Sequence, residues 1–179
     1  QTIRDLVLTL EVFREFDQAR SVPGFSIERE QAHALRAARL ARRLLDEPKA
    51  AEQAFLAALL HDIGKLQELA YDQGAISYTR DGNLVGHISM GLVVVRDTAR
   101  GIAGFPDDLR AELEHLVLSH HGSRDRGSPV EPKSVEAFIL ASVDELDARL
   151  NQVRQALQES GVDPAFTPWH KRLGRVLYR

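Results

Sequence analysis

The chain has 179 residues, a formal net charge of −3, 44% hydrophobic and 27% charged residues, and no cysteine. That length buries a substantial core in one domain, and the composition is that of an ordinary globular protein. No apolar run reaches membrane-spanning length and no basic segment leads into an apolar stretch at the start, so neither a membrane span nor a leader peptide is expected.

The missing cysteines remove any disulfide framework and fit a reducing, cytoplasmic setting. The mildly acidic balance supplies no global basic field, so a nucleic-acid substrate must be held locally, by metal ions and a few Arg or Lys side chains, or by another domain. The chain opens on a helical pattern without an initiator Met and reads as a fragment of something longer.

Ile3, Leu6, Val7, Leu10 and Phe13 follow the spacing of an amphipathic helix, and Pro23-Gly24 then breaks the pattern. A second helix is predicted from about Glu28 to Leu45, with His33, Ala37, Leu40 and Leu44 on one stripe. A third runs from about Lys49 to His61, with Gly64 placed to end it. Ile76 to Thr79 and Leu84-Val85 flank Asp81-Gly82 and predict a short β-hairpin over residues 75–86. His87 opens another apolar helix through Val95. Pro106-Asp107-Asp108 starts a helix that carries Leu113, Leu116, Val117 and His120 on one face and stops at Gly122. After the polar loop Ser123 to Pro132, a long helix runs from about Ser134 to Glu159, with Ala137, Leu140, Ala141, Asp144 and Ala148 along one stripe. The tail from Phe166 to Arg179 is aromatic and basic. The fold class is all-α, with one small β-hairpin.

Five of the seven histidines fall into an ordered series with two aspartates: His33, His61-Asp62, His87, His120-His121 and Asp144. Without thiolates, imidazole and carboxylate are the ligands that Mn, Fe, Ni or Zn prefer. Seven such side chains are too many for one tetrahedral site. They suit two ions, with Asp62 lending one oxygen to each. The bland alternative is a set of satisfied core histidines, and His115 and His170, which have no partner in the series, take that reading. Asp62 does not fit it, because a carboxylate closing an apolar helix costs several kcal/mol to bury without a counter-charge. A metal supplies that charge.

These segments resemble the HD-domain superfamily of metal-dependent phosphohydrolases, and within it the YhaM-type 3′-5′ exoribonucleases. The resemblance rests on Leu59 to Lys65, Leu84 to Ile88, Leu116 to Gly122, Gly127-Ser128-Pro129 and Asp144 to Ala148, spanning roughly residues 30–150. The HD-domain core is expected over about 28–158 of a single domain, and nothing reads as the N-terminal OB-fold usual in YhaM-like proteins. The resemblance implies a mostly helical fold in which His33, His61, Asp62 and Asp144 hold one divalent ion, and Asp62, His87, His120 and His121 the other. Manganese is the first expectation, with Fe, Ni, Mg or Zn as alternatives. It further implies a phosphodiesterase that cuts RNA or short oligonucleotides from the 3′ end with a hydroxide generated between the two ions.

Lys65 is expected to steady the phosphate beside Asp62, its bland alternative being a solvated lysine. Asp147 is read either as a partner of a ligand histidine or as surface charge, and Arg124 and Arg126 as candidate phosphate contacts. Three other functions compete. A cyclic-dinucleotide phosphodiesterase of the HD-GYP type lacks its Gly-Tyr-Pro loop here, and a di-iron oxygenase generally uses fewer histidines. A catalytically silent HD signalling module typically loses ligands that this chain retains.

Overall fold

A computed structural model describes residues 27–72, 75–159, 161 and 163–179. The predicted helix over Ile3 to Phe13 and the Pro23-Gly24 break lie outside them. The elements in chain order are α1 (Ile27–Arg43), α2 (Pro48–Leu60), α3 (Lys65–Glu68), β1 (Leu69–Asp72), β2 (Ala75–Tyr78), α4 (Arg80–Val85), α5 (His87–Gly101), α6 (Asp107–Ser119) and α7 (Val135–Gln158), with a 3-10 turn at Arg124–Arg126. The expected all-α class is observed, with a single two-stranded antiparallel sheet among the described residues. No helix among them is long and apolar enough to cross a membrane.

The local chemistry explains the boundaries. Glu47 caps α2 by accepting the Ala50 N–H at 2.6 Å, and Pro48 follows where its missing N–H is harmless. Ser134 caps α7 through the Ala137 N–H. α1 and α2 meet through alanines, with Ala37, Ala38, Ala41, Ala54, Ala57 and Ala58 all essentially buried. Such small side chains let two helix backbones approach closely. Leu60, Leu113, Leu116, Val117 and Leu140 fill the centre, where α2, α6 and α7 converge. Truncating any one of these leucines to alanine is expected to cost about 2–5 kcal/mol.

Two expectations need correction. The hairpin lies earlier than predicted, pairing Leu69↔Tyr78 through Asp72↔Ala75, while residues 80–85 form the short helix α4. The Thr79 hydroxyl accepts the Gly82 N–H at 2.8 Å, which turns Arg80-Asp81-Gly82 into a capped helix start instead of a hairpin turn. Gly82 is small for a different reason, since a Cβ there would overlap the backbone of Glu68.

Gly64 likewise does not terminate α2 in a left-handed conformation. Its φ of −64° is helical, and it leads directly into α3. A Cβ at Gly64 would collide with the His87 carbonyl, and Gly91 faces it from the next turn of α5. The glycine is needed for close approach of two backbones.

Candidate metal centre

The ends of helices deliver the candidate ligands. His61 is the last turn of α2 continued by one residue, His87 is the first residue of α5, His120 caps α6, and Asp144 lies within α7. His33 stands on α1, and its side chain lies outside the described residues. The remaining six side chains converge. The His61 Nε2 lies 3.1 Å from Asp62 Oδ2 and 3.5 Å from Asp144 Oδ1. On the other side of the same carboxylate, Asp62 Oδ1 is 3.6 Å from His87 Nε2 and 3.9 Å from His120 Nε2. The His120 and His121 rings are 4.2 Å apart, and His121 is 5.3 Å from His87.

The orientation of each ring is fixed from behind. His61 Nδ1 donates to the Ala58 carbonyl at 2.8 Å and His120 Nδ1 to the Val117 carbonyl at 2.7 Å, each three residues back along its helix. His121 Nδ1 donates to the Arg126 carbonyl. That bond exists because Gly122, at φ 84°, turns the chain out of α6 so that the 3-10 turn folds back beneath the ring. His87 Nδ1 faces Glu68 Oε1 at 3.2 Å, and the same oxygen accepts the His87 backbone N–H at 3.0 Å. Anchoring Nδ1 leaves Nε2 of each ring directed at the shared space.

The electrostatics of that space are uneven. Burial alone would push the His61 imidazolium down, but Asp62 and Asp144 outweigh it and raise its pKa to about 10. Burial and the neighbouring His61 charge lower His120 to about 3, and burial with His87 also lowers His121. Burial works to raise Asp62, but His61, Lys65 and His120 together hold it well below the usual carboxylate range. One side of the cluster is therefore rich in carboxylate and the other in neutral imidazole.

The donor set fits divalent metal. Asp62 Oδ1, His87 Nε2 and His120 Nε2 are buried with no hydrogen-bond partner, an arrangement that costs free energy unless something else binds them. Donor atoms of His87, His120 and His121 lie within 4.8 Å of one another, as do those of His61, Asp62 and His120. Imidazole nitrogens and carboxylate oxygens at such separations can ligate transition ions with small side-chain movements. His120 belongs to both groups, and Asp62 Oδ1 lies 3.6 Å from His87 Nε2 in the other.

The remaining candidate residues divide between the centre and its surroundings. Lys65 is held at the centre, its ammonium donating to Asp62 Oδ2 at 2.7 Å. Asp147 forms a bidentate pair with Arg36, both bonds 2.8 Å, which ties the turn of α7 after Asp144 to the turn of α1 after His33. Arg124 and Arg126 lie exposed on the outer side of the turn beneath His121, and Arg126 pairs with Glu145. His115 and His170 take local structural roles, accepting the backbone N–H groups of Lys133 and Leu173.

Glu68, which holds the His87 ring and backbone, is a residue of the candidate site that the sequence did not single out. Its contact with His87 joins residues 19 apart in sequence across the hairpin and α4, and no periodicity signals such a pairing. The only hint in the sequence is an acid on the short apolar stretch after the His-Asp pair.

Comparisons with known proteins place the segment carrying this cluster in a family. The HD domain family model matches residues 31–149. The 3′-5′ exoribonuclease YhaM of Bacillus pumilus (strain SAFR-032) is 43% identical over 102 residues, covering 56% of this chain and 31% of that protein. The YhaM of Bacillus subtilis (strain 168) is 39% identical over 104 residues, 58% of this chain and 32% of that protein. The chain thus matches about a third of the length of these relatives. No solved structure matches. With the family model spanning the segment that carries all seven ligand candidates, the chain belongs to the HD domain family.

Proposed function

We propose that this member of the HD metal-dependent phosphohydrolases cuts phosphodiester bonds of RNA or short oligonucleotides, working from the 3′ end. The observation that carries the reading is the set of buried, unpartnered donors on Asp62, His87 and His120, which face one another around a single carboxylate. The likeness to YhaM exoribonucleases supports the substrate class.

We assign His33, His61, Asp62 and Asp144 to one ion and Asp62, His87, His120 and His121 to the other. Bound there, divalent ions such as Mn²⁺ supply an activated water and neutralise charge on the phosphoryl oxygens. The chain's own residues do the rest. Asp62 presents one oxygen to each half of the site, and Lys65 fixes its orientation through Oδ2. The Lys65 ammonium also stands ready to donate to a phosphoryl oxygen as negative charge develops there. Glu68 holds the His87 ring so that Nε2 points inward. Arg124 and Arg126, on the rim below His121, are assigned to the strand leading to the centre.

The test uses RNA labelled at its 5′ end with added Mn²⁺, alongside metal analysis of the reconstituted protein. A descending ladder, mononucleotide products and two ions per chain are expected. Equal cutting of circular RNA would show endonucleolytic action, and activity confined to cyclic dinucleotides would favour the HD-GYP type. A protein that binds neither metal nor RNA would be a silent module.

A further inference from the structure

Beside the metal centre runs a groove of about 540 Å³ of which the assignments above use only Arg126, at its head. One wall is the exposed side of α7, with Glu145, Arg149 and Gln152, and Arg126 stands at its head. The other wall is the C-terminal hairpin, residues 166–179, which doubles back through the antiparallel bridges Phe166↔Tyr178 and His170↔Arg175 and contributes Arg172 and Arg175. Four arginines thus line the groove against one acidic residue, in a chain whose overall charge is −3. Glu145 is shared by Arg126 and Arg149, so it neutralises only one of them. Among the described residues, neither Arg172 nor Arg175 enters an ion pair. Arginines concentrated in one concave surface without matching acids indicate an anionic ligand.

The groove is also built and aimed. The hairpin is pinned by the Thr167 N–H to the Leu177 carbonyl at 2.9 Å, and by Arg179, whose guanidinium donates to the carbonyls of Leu157 and Glu159 at the end of α7. Its inner end meets the metal centre twice. Glu145 adjoins Asp144, and the Arg126 carbonyl receives the His121 Nδ1–H. From Glu145 to Val153 the α7 wall extends about 12 Å away from the centre, the rise of eight helical residues. That is long enough for a strand and unnecessary for a mononucleotide. Val153 and Leu177 give the lining an apolar component against which sugars and bases can rest. The same hairpin exposes Trp169, 66% accessible, a surface of the kind on which unpaired bases stack.

We infer that this groove binds the phosphodiester backbone of a single strand on the 5′ side of the bond being cut. The inference rests on the phosphodiesterase reading and adds a processive path to it. Arg149, Arg172 and Arg175 contact successive phosphates, and the 3′ end enters the centre past Arg126.

The experiment measures fluorescence anisotropy of a labelled single-stranded 12-nucleotide RNA with the full chain, in chelator to prevent turnover, across a range of salt. Each phosphate contact contributes about −0.7 to the slope of log affinity against log salt. The paired variant Arg172→Ala/Arg175→Ala should flatten the slope by about 1.4 and weaken binding about tenfold near 0.1 M salt. Arg172→Lys/Arg175→Lys should retain most of the affinity. Arg100→Ala, at an exposed position of α5, should bind as the parent does.

Arg149→Ala provides a second probe on the solvent side of α7, should the hairpin variant melt early. Single-stranded DNA of equal length should bind equally, because the arginines face phosphates common to both. A polyglutamate competitor should fail to displace the RNA. Unchanged affinity and slope in both Ala variants, or displacement by polyglutamate, would overturn the inference. Hydrolysis of bis(p-nitrophenyl) phosphate with Mn²⁺ reports the centre separately and should be the same in the variants and the parent. Absence of that activity in the parent would remove the catalytic reading while the anisotropy still decides the groove.

Discussion

Two acidic side chains on neighbouring elements of this fold, Asp62 and Glu114, meet low-dielectric surroundings in opposite ways. Glu114, on α6 and 8% exposed, is closed on all sides. Arg96 binds it through two guanidinium nitrogens at 3.0 and 2.6 Å, and Arg110 adds a third bond at 2.8 Å. Asp62 receives Lys65 on one oxygen and presents the other, unbonded, to the rings of His87 and His120. Both carboxyls are held below their usual range, Glu114 mainly by Arg96 and Asp62 by His61 against the effect of burial. A fully bonded carboxylate contributes to stability. One left half-bonded among imidazoles keeps an oxygen placed to accept a cation.

The sharpest way to break this contrast is to delete each carboxylate. Asp62→Ala should abolish turnover and metal content together. It should also eliminate the rise in melting temperature that Mn²⁺ confers on the parent by mass action. Inductively coupled plasma analysis and melting curves with and without chelator would check it. A variant still holding two ions would remove Asp62 from the shared position.

Lys65→Ala comes next. Folding and both ions should persist while turnover falls on the order of 100-fold, as when one stabiliser of developing charge is removed. If metal affinity fell instead, the lysine would act only by orienting Asp62. Glu68→Ala should weaken metal binding or activity about 10–100-fold by freeing the His87 ring, read as a shift in the Mn²⁺ activation curve.

The smallest effects belong to the closed carboxylate. Glu114→Ala should leave metal content intact and lower the melting temperature by about 5 °C, from a loss of roughly 2 kcal/mol spread over partly exposed arginines. Its pH signature has a fixed sign. Because the folded-state pKa of Glu114 is depressed below 4.5, its contribution is complete above that value and fades as pH falls through the folded pKa. The melting-temperature gap between parent and Glu114→Gln should therefore hold at pH 6 to 7 and narrow below about pH 4.5. A gap that widened in acid would refute the assignment.

Most of the predicted apolar stripes were legible in the sequence, although Leu44, placed on the stripe of α1, is 56% exposed just beyond the end of that helix. The Leu113, Leu116, Val117 and His120 face of α6 and the Ala137–Leu140 face of α7 are buried as periodicity required. The convergence of His61, Asp62, His87, His120, His121 and Asp144 was legible too, because His-Asp and His-His at the ends of apolar helices bury polar groups that need something to bind. The segment between β1 and α5 was not. Asp81-Gly82 satisfies hairpin chemistry and helix-start chemistry equally, and the Thr79 hydroxyl decides between them through one hydrogen bond. Gly64 misled for a similar reason. A glycine after a helix reads as a terminator, while its actual requirement comes from α5, more than twenty residues away. Glu68 was hidden because pairing across a hairpin leaves no local pattern.

Gly64 also bears on how such a centre can change over time. At this point the segment carrying His61 and Asp62 touches the one carrying His87 main chain to main chain, with Gly91 facing from the other side. The gap between those candidate ligands is therefore dictated by peptide atoms, which are the same in every sequence, and not by the bulk of intervening side chains. Leucines and valines deeper in the bundle can drift in size while the distance from one half of the site to the other stays put. A core free to vary around a gauge of fixed width allows substrates and surroundings to diversify with the metal chemistry unchanged. The two glycines are the positions where that freedom should end.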